Sequence, residues 1–472
     1  MEKNGNLGHL ELIRKINRTL ILNMVKEKQP ISRAQISKAL NLSKTTVSAI
    51  VDELIKKKDN GRIKIITGIR RCGKSYLLFE LYKNYLLKNS IAENQIIEMA
   101  LDEIENSGYR DPFKLNEYIK NKITGDKRYY IFIDEIQFSR SVKNPYIDDE
   151  DEKITFVDTL LSLMKRKNLD IYVTGSNSKM LSKDILTQFR DRGDEIHVYP
   201  LSFAEMSSCY EDKDKAWEDY VLCGGMPLVL EMETFEEKSR YLKELFEETY
   251  IKDIIDRNQI KNSEEVLEVL LDFVSSAVGS LTNPLKLSNR YASEKKINIS
   301  NNTISKYLTY FEEAYVLYAA KRYDIKGSKY FSTPLKYYFA DIGLRNARLN
   351  FRQVEETHIM ENIIYNELLR RGFNVDVGVV EYFPNVEGKT TRVQLEVDFV
   401  INRGNLRYYI QSAFAINSEE KKEQERNSLK RIDDSFKKII IVRDNIVPRY
   451  DEYGIYYVGI RDFLLMDDFL EA

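Results

Sequence analysis

Eight residues, Gly68–Ser75, read Gly-Ile-Arg-Arg-Cys-Gly-Lys-Ser and satisfy the spacing G-x-x-x-x-G-K-[ST] in full. The spacing has a mechanical meaning: glycines let backbone N–H groups curl around phosphate oxygens, and a helix opening at the lysine adds partial positive charge. Lys74 is expected to reach the β- and γ-phosphates of ATP, and Ser75 to ligate Mg²⁺. Gly68, Ile69, Arg70, Arg71, Cys72, Gly73, Lys74, Ser75 and Tyr76 are the expected nucleotide-binding residues. A chance glycine-rich turn is the plainer alternative.

Two further constellations would complete that chemistry. Tyr129–Glu135 is a wholly apolar run ending in two carboxylates. Asp134 would hold the metal through water and Glu135 would polarise an attacking water, because phosphoryl transfer needs a positioned nucleophile and neutralised charge. Asp170–Asn177 ends in small polar groups, of which Ser176 or Asn177 could sense the γ-phosphate. Arg190 and Arg192 follow at the distance where an arginine finger would act on a neighbouring subunit of a homo-oligomer. The alternative for these arginines is a solvent-facing pair with Asp191 and Asp194.

These residues need a scaffold, and the hydrophobic periods supply one. A buried strand at Arg62–Thr67 leads into the glycine loop and then a helix over Ser75–Lys88. Apolar runs at Gln95–Leu101, Tyr129–Asp134, Asp170–Thr174 and Glu195–Tyr199 alternate with helical stretches. That alternation predicts a parallel sheet with helices on both faces. Helices follow from Phe203 to Tyr318, then a hairpin around Lys326–Ser328, and an α+β segment with strands near Val397–Ile401, Leu406–Gln411 and Lys438–Val442.

The amino-terminal stretch has a different character. Leu10–Lys28, Ser32–Leu40 and Lys44–Lys57 read as three short helices, with Ser32 and Ser43 where N-caps belong. Residues 1–58 hold twelve Lys/Arg against five Asp/Glu in a chain whose net charge is −2. A basic helix-turn-helix of this kind points to nucleic acid. Lys44, Thr45, Thr46 and Ser48 would project from its recognition helix towards double-stranded DNA. A protein-docking helix pair is the alternative, and only three residues separate Lys58 from the next strand, leaving no room for a wing.

Composition excludes several classes. No apolar run approaches the ~20 residues of a membrane helix, and Met1–Leu10 has no charged-then-apolar leader, so a cytoplasmic protein is expected. Three scattered cysteines and three histidines make neither a disulfide framework nor a zinc pattern.

At Ile65–Ser75, Asp134–Gln137, Thr174–Asn177, Tyr199–Phe203 and Gly224–Pro227 the chain resembles AAA-type P-loop ATPases whose C-terminal half is the domain of unknown function 4143. The resemblance covers about residues 60–472 and implies an AAA-like core, an internal winged helix and a restriction-endonuclease-like C-terminal domain. In active relatives of that last fold, two acidic residues and a Glu-x-Lys pair bind metal and activate water. Glu361 and Asp398 stand where the first two would be, but the pair reads Gln411-Ser-Ala413, which removes a ligand and the cation. Residues 10–57 resemble the helix-turn-helix of ROK-type repressors in Ile31–Ile36 and Ser43–Ser48.

The expected fold class is thus α/β: an AAA-like parallel sheet core with helix-turn-helix and winged-helix modules and a C-terminal α+β domain. The expected divisions are a helix-turn-helix at 1–58, an ATPase domain at 60–205, a helical lid and winged helix at 206–330 and a nuclease-like domain at 331–472. The expected function is a Mg·ATP-dependent switch coupled to DNA binding. A DNA-binding regulator with structural nucleotide and a nuclease effector are the competing readings.

Overall fold

The computed structural model describes residues 46–149, 151–176, 192–260, 264–352, 355–386, 389–416 and 418–466. Lys44, Thr45, Asn177 and Arg190 lie outside the described residues, as do the two helices expected before Lys44. Thr46 and Ser48 lie in the first turn of a described helix, α1 (Thr46–Lys57).

The first sheet is built from β1 (Ile63–Thr67), β2 (Ile96–Ala100), β3 (Tyr129–Asp134), β4 (Leu169–Thr174) and β5 (Gly193–His197), in the spatial order β2-β3-β4-β1-β5. Every pairing in it is parallel. β1, β3 and β4 are buried along their whole length, as strands covered on both faces must be. Lys64 sits inside this apolar run, and Asp170 on the neighbouring strand pairs with it. Tyr172 Oη and the backbone N–H of Asp59 donate to the same carboxylate at 2.8 and 2.9 Å, so the buried charges are satisfied.

α1 is anchored on this sheet by its second half. Leu54 is fully buried, with Ile50, Val51 and Ile55 packed around it. Lys57 Nζ donates to the carbonyl of Glu195 on β5 at 3.1 Å. The Asp59–Gly61 turn, with Asp59 and Gly61 at positive φ, then feeds β1.

The chain next forms helices, among them α2 (Glu264–Ser276), α3 (Pro284–Arg290) and α4 (Asn301–Glu313). A second, eight-stranded sheet follows: β6 (Leu317–Asp324), β7 (Lys329–Phe339), β8 (Asn374–Tyr382), β9 (Val393–Arg403), β10 (Leu406–Ala413), β11 (Lys437–Val442), β12 (Arg449–Tyr450) and β13 (Tyr456–Gly459). Its order is β12-β13-β11-β10-β9-β8-β6-β7. α5 (Ile342–Arg348) and α6 (Glu356–Arg370) connect β7 to β8.

One expectation is corrected here. The boundary placed between residues 330 and 331 falls inside β7, and the hairpin β6–β7 is not separate from the C-terminal sheet. β6 has two edges: one pairs antiparallel with β7, the other parallel with β8 through Arg322–Val377, Tyr323–Gly378 and Asp324–Val379. At the same time Thr282, between α2 and α3, forms an antiparallel bridge to Leu335. Three helices, a bridging residue and a hairpin make the winged-helix arrangement, and its wing is also the edge of the C-terminal sheet.

Candidate functional site

The glycine loop follows the carboxyl end of β1, where a parallel sheet leaves a crevice beside strands of reversed order. Gly68 has φ +140° and Gly73 φ +101°, values an L side chain resists. A Cβ on Gly68 would stand 2.2 Å from the Val198 carbonyl oxygen, so only glycine lets the loop pass this close to the chain leaving β5. Gly73 caps the following helix in the left-handed region without any side-chain cap, which leaves the first-turn N–H groups uncapped by side chains. Helical structure then runs from Lys74 to Lys88 through a π turn at Leu77–Tyr82.

Lys74 is buried, and its ammonium donates to the carbonyls of Gly68 at 3.0 Å and Ile69 at 2.9 Å. Ser75 is half-buried and Tyr76 is exposed. Asp134 ends β3 and Thr174 ends β4, and the Thr174 hydroxyl donates to the Asp134 carboxylate. The same hydroxyl accepts the Glu135 backbone N–H at 3.1 Å. Glu135 holds φ +51°, an uncommon conformation for a non-glycine residue, and its carboxylate accepts from Gln137 Nε2. Burial raises the Glu135 pKa, and neighbouring Asp134 adds to the rise while Lys74 opposes it. Ser176 is buried beside Gln137, 3.4 Å from its Nε2.

The donor set fits Mg·ATP. An open glycine cradle, a buried lysine, an aspartate held by its neighbour's hydroxyl and a second carboxylate meet at the ends of adjacent strands. Gln137 Oε1, on the side chain whose Nε2 donates to Glu135, is also buried without a hydrogen-bond partner. Thr174 and Gln137 lie in stretches that carry the family resemblance, Thr174–Asn177 and Asp134–Gln137, but the sequence assigns neither of them a role. Their signal is weak, since a threonine at a strand end and a glutamine in a turn are ordinary residues.

Arg192 is placed elsewhere. It is exposed, and its carbonyl accepts from Ile63 N–H at 2.9 Å, at the amino ends of β1 and β5. Five strand residues, roughly 16 Å at ~3.3 Å each, separate it from the glycine loop. It does not join the nucleotide cluster of its own chain.

The loop is tied to the rest of the molecule at three points. Arg70 pairs with Asp253 at 3.3 Å, and Tyr250 Oη donates to the Arg70 carbonyl at 2.8 Å. Gly224–Pro227 runs beside the loop, with Pro227 4.0 Å from where a Cβ on Gly73 would stand. It is held in turn by Gly225, whose N–H donates to Asp341 Oδ2 at 2.6 Å and whose carbonyl accepts from Leu201 N–H at 2.8 Å. Asp341 caps α5, and burial lifts its pKa to about 6.

The third tie is His197. Its Nδ1 lies 2.9 Å from Thr67 Oγ1, on the last residue before Gly68, and its Nε2 lies 2.9 Å from Tyr318 Oη on β6. Thr67 gives its one hydroxyl proton to Glu195 at 2.9 Å, so Nδ1 carries the ring proton and Tyr318 donates to Nε2. Burial, with Lys74 nearby, pulls the His197 pKa down to about 3. The unfolded chain therefore binds the proton first. The stability from neutral His197 is complete above pH ~6.5 and is lost as the pH falls towards its folded value, by about 2 kcal/mol at pH ~5. The melting midpoint should fall between pH 7 and 5, and His197→Gln should flatten that slope. An identical slope in the variant would place the effect on other groups.

The nuclease-like residues form a second cluster. Glu361 on α6 and Asp398 on β9 do come together, but the group between them is the buried ammonium of Lys336 on β7. Lys336 Nζ stands 2.8 Å from Glu361, 2.7 Å from Glu396 and 3.8 Å from Asp398. Tyr338 Oη donates to Glu361 at 2.6 Å, and Ser412 N–H donates to Asp398 at 2.8 Å. Gln411 accepts the Asp398 N–H at 3.4 Å. Burial and Glu361 push the Asp398 pKa well up, while the same carboxylates hold Lys336 charged.

Comparison with known proteins agrees with this architecture. An AAA domain matches residues 60–207, and a winged helix-turn-helix DNA-binding domain matches 2–57. Two domains of unknown function, DUF8612 and DUF4143, match 214–355 and 356–463. An uncharacterized protein of Haemophilus influenzae is 34% identical over 433 residues, 90% of this chain and 100% of its own. An uncharacterized protein of Methanocaldococcus jannaschii is 28% identical over 421 residues, 85% of each chain. The xylose repressor of Caldicellulosiruptor bescii is 30% identical over 110 residues, 21% of this chain and 27% of its own. Among the described residues no helix is long and apolar enough to cross a membrane. With a P-loop sheet, a DUF4143 segment and full-length similarity to the Haemophilus protein, the chain belongs to the family of AAA-type proteins with a C-terminal DUF4143 domain, here preceded by a repressor-like helix-turn-helix.

Proposed function

We propose that the chain binds and hydrolyses Mg·ATP and uses the nucleotide as a switch coupled to DNA binding. The observation that carries this reading is that Thr174 at the end of β4 bonds both the Asp134 carboxylate and the Glu135 N–H, while Lys74 beyond β1 stands near enough to act electrostatically on Glu135. Ser75 and Asp134 would hold Mg²⁺, which when bound neutralises phosphate charge. Lys74 exchanges its two loop carbonyls for phosphate oxygens. Glu135, a buried carboxylate with raised basicity, orients the attacking water and takes its proton. Thr174 and Gln137 hold the two carboxylates apart in role, one on the metal side and one on the water side. Asn177 or Ser176 senses the γ-phosphate. In a homo-oligomer, Arg192 acts on the neighbouring chain's nucleotide, since it stands too far from its own.

The switch reading rests on the ties of the loop. Arg70, Thr67 and Gly73 flank the phosphate cradle, and they lead to Asp253, to Tyr318 through His197, and to Gly224–Pro227 respectively. Lys44, Thr45, Thr46 and Ser48 are the proposed DNA-reading residues of the amino-terminal module, which α1 joins directly to β5. We place the protein in the cytoplasm.

Phosphate release from Mg·ATP, with and without duplex DNA, tests the reading. Wild-type turnover raised by DNA and lost in Lys74→Ala is the expected result. Tight nucleotide binding without turnover would replace the switch by a regulator with structural nucleotide.

A further inference from the structure

α4 presents two opposite faces. Ile304, Tyr307, Leu308, Tyr310 and Phe311 are buried in the core, while Asn301, Asn302, Ser305, Lys306 and Thr309 form one exposed stripe. The exposed set is short, polar and able both to donate and to accept hydrogen bonds, the chemistry that reads base edges in a major groove. α4 is also the third helix of the winged arrangement, the position of a recognition helix.

The charge around it has the sign for phosphates. Residues 281–311 hold five Lys/Arg and one Glu, in a chain whose net charge is −2. Lys286, Lys295, Lys296 and Lys306 are exposed. The one acid, Glu294, is engaged by Arg290 at 2.7 Å, and Arg290 lies over the Phe273 ring. Glu312 and Glu313 sit at the far, carboxyl end of α4, away from Asn301 and Asn302. The wing does not contribute equally. Its tip lysines are spent within the protein, Lys326 on Asp433 at 3.5 Å and Lys329 on Asp324 at 3.9 Å.

We propose that α4 is a second DNA-reading element, lying in the major groove of duplex DNA with Lys295, Lys296 and Lys306 on the flanking phosphates. This site is separate from the amino-terminal helix-turn-helix and does not depend on ATP hydrolysis. Because the wing belongs to the C-terminal sheet, DNA held by α4 is held rigidly to the DUF4143 segment rather than to a free module.

The test uses the full chain without nucleotide and a fluorescent 30-base-pair duplex DNA, with affinity measured over a series of salt concentrations. The triple variant Lys295→Glu, Lys296→Glu, Lys306→Glu should lose at least about tenfold in affinity at low salt, and its salt slope should flatten by about 2 to 3. Its melting midpoint and basal ATP turnover should match wild type. Asn302→Ala should narrow the difference between preferred and scrambled duplexes. Affinity and slope unchanged in the triple variant, with all binding lost in Lys44→Glu, would overturn the proposal. Equal loss in a control reversing three exposed ATPase lysines, Lys122, Lys165 and Lys167, would overturn it as well, because binding would then follow net charge.

Discussion

Glu135→Gln should keep ATP affinity within a few-fold of wild type and lower the rate of phosphate release by about 10²–10³. The amide has the same shape, so the left-handed backbone at Glu135 and its N–H bond to Thr174 survive. What disappears is the proton acceptor. Single-turnover phosphate release beside equilibrium binding of a fluorescent ATP analogue separates the two quantities. The variant should also melt slightly higher than wild type. Glu135 is a buried acid beside Asp134, so its folded pKa lies above its unfolded value, and its charge costs stability at every pH above the unfolded pKa. Gln removes that cost, and a site that stores instability for chemistry is stabilised when the chemistry is removed. Turnover retained in Glu135→Gln would take the general-base role from this residue.

The second large effect lies far from the nucleotide. Lys336→Met should lower stability by about 3–5 kcal/mol, the cost of leaving buried carboxylates without their cation. Glu361 and Asp398, both mostly buried, would be left without the ammonium between them, with the more exposed Glu396 close by. Adding Glu361→Gln to Lys336→Met should recover part of the loss, because it deletes one of the stranded charges. Urea denaturation of the three proteins, followed by tyrosine fluorescence, measures both steps. If Lys336→Met melts like wild type, the ion cluster is not what joins β7 to α6 and β9. The lysine also bears on the nuclease reading. It occupies the space between the two acids that stand at metal-ligand positions in the sequence, and the protein holds them with an ammonium of its own.

Much of the nucleotide site is legible in the residues themselves. The pattern Gly68–Ser75 spans eight residues, and within so short a stretch its two glycines permit the turn and its Gly-Lys-Ser end marks the helix start. Tyr129–Asp134 is equally clear, since an apolar run closed by carboxylates has few other readings. The motifs Tyr199–Phe203 and Gly224–Pro227 are visible in the chain, but their purpose is not. In the fold they bind each other through Leu201 and Gly225, and bind Asp341 more than a hundred residues away.

Local chemistry follows from the order of residues alone: a phosphate loop, a strand ending in Asp134 and Glu135, and amphipathic helices with their caps. These arise from period, propensity and short spacing, which act over a few residues. Which distant groups meet is a property of the folded chain. The fold sets Thr174 on Asp134, joins Thr67 to Tyr318 through His197, puts Lys336 among Glu361, Glu396 and Asp398, and makes the wing an edge of the second sheet. Those pairings depend on strand order and side-chain packing, which the whole chain settles together. No single stretch of residues carries them.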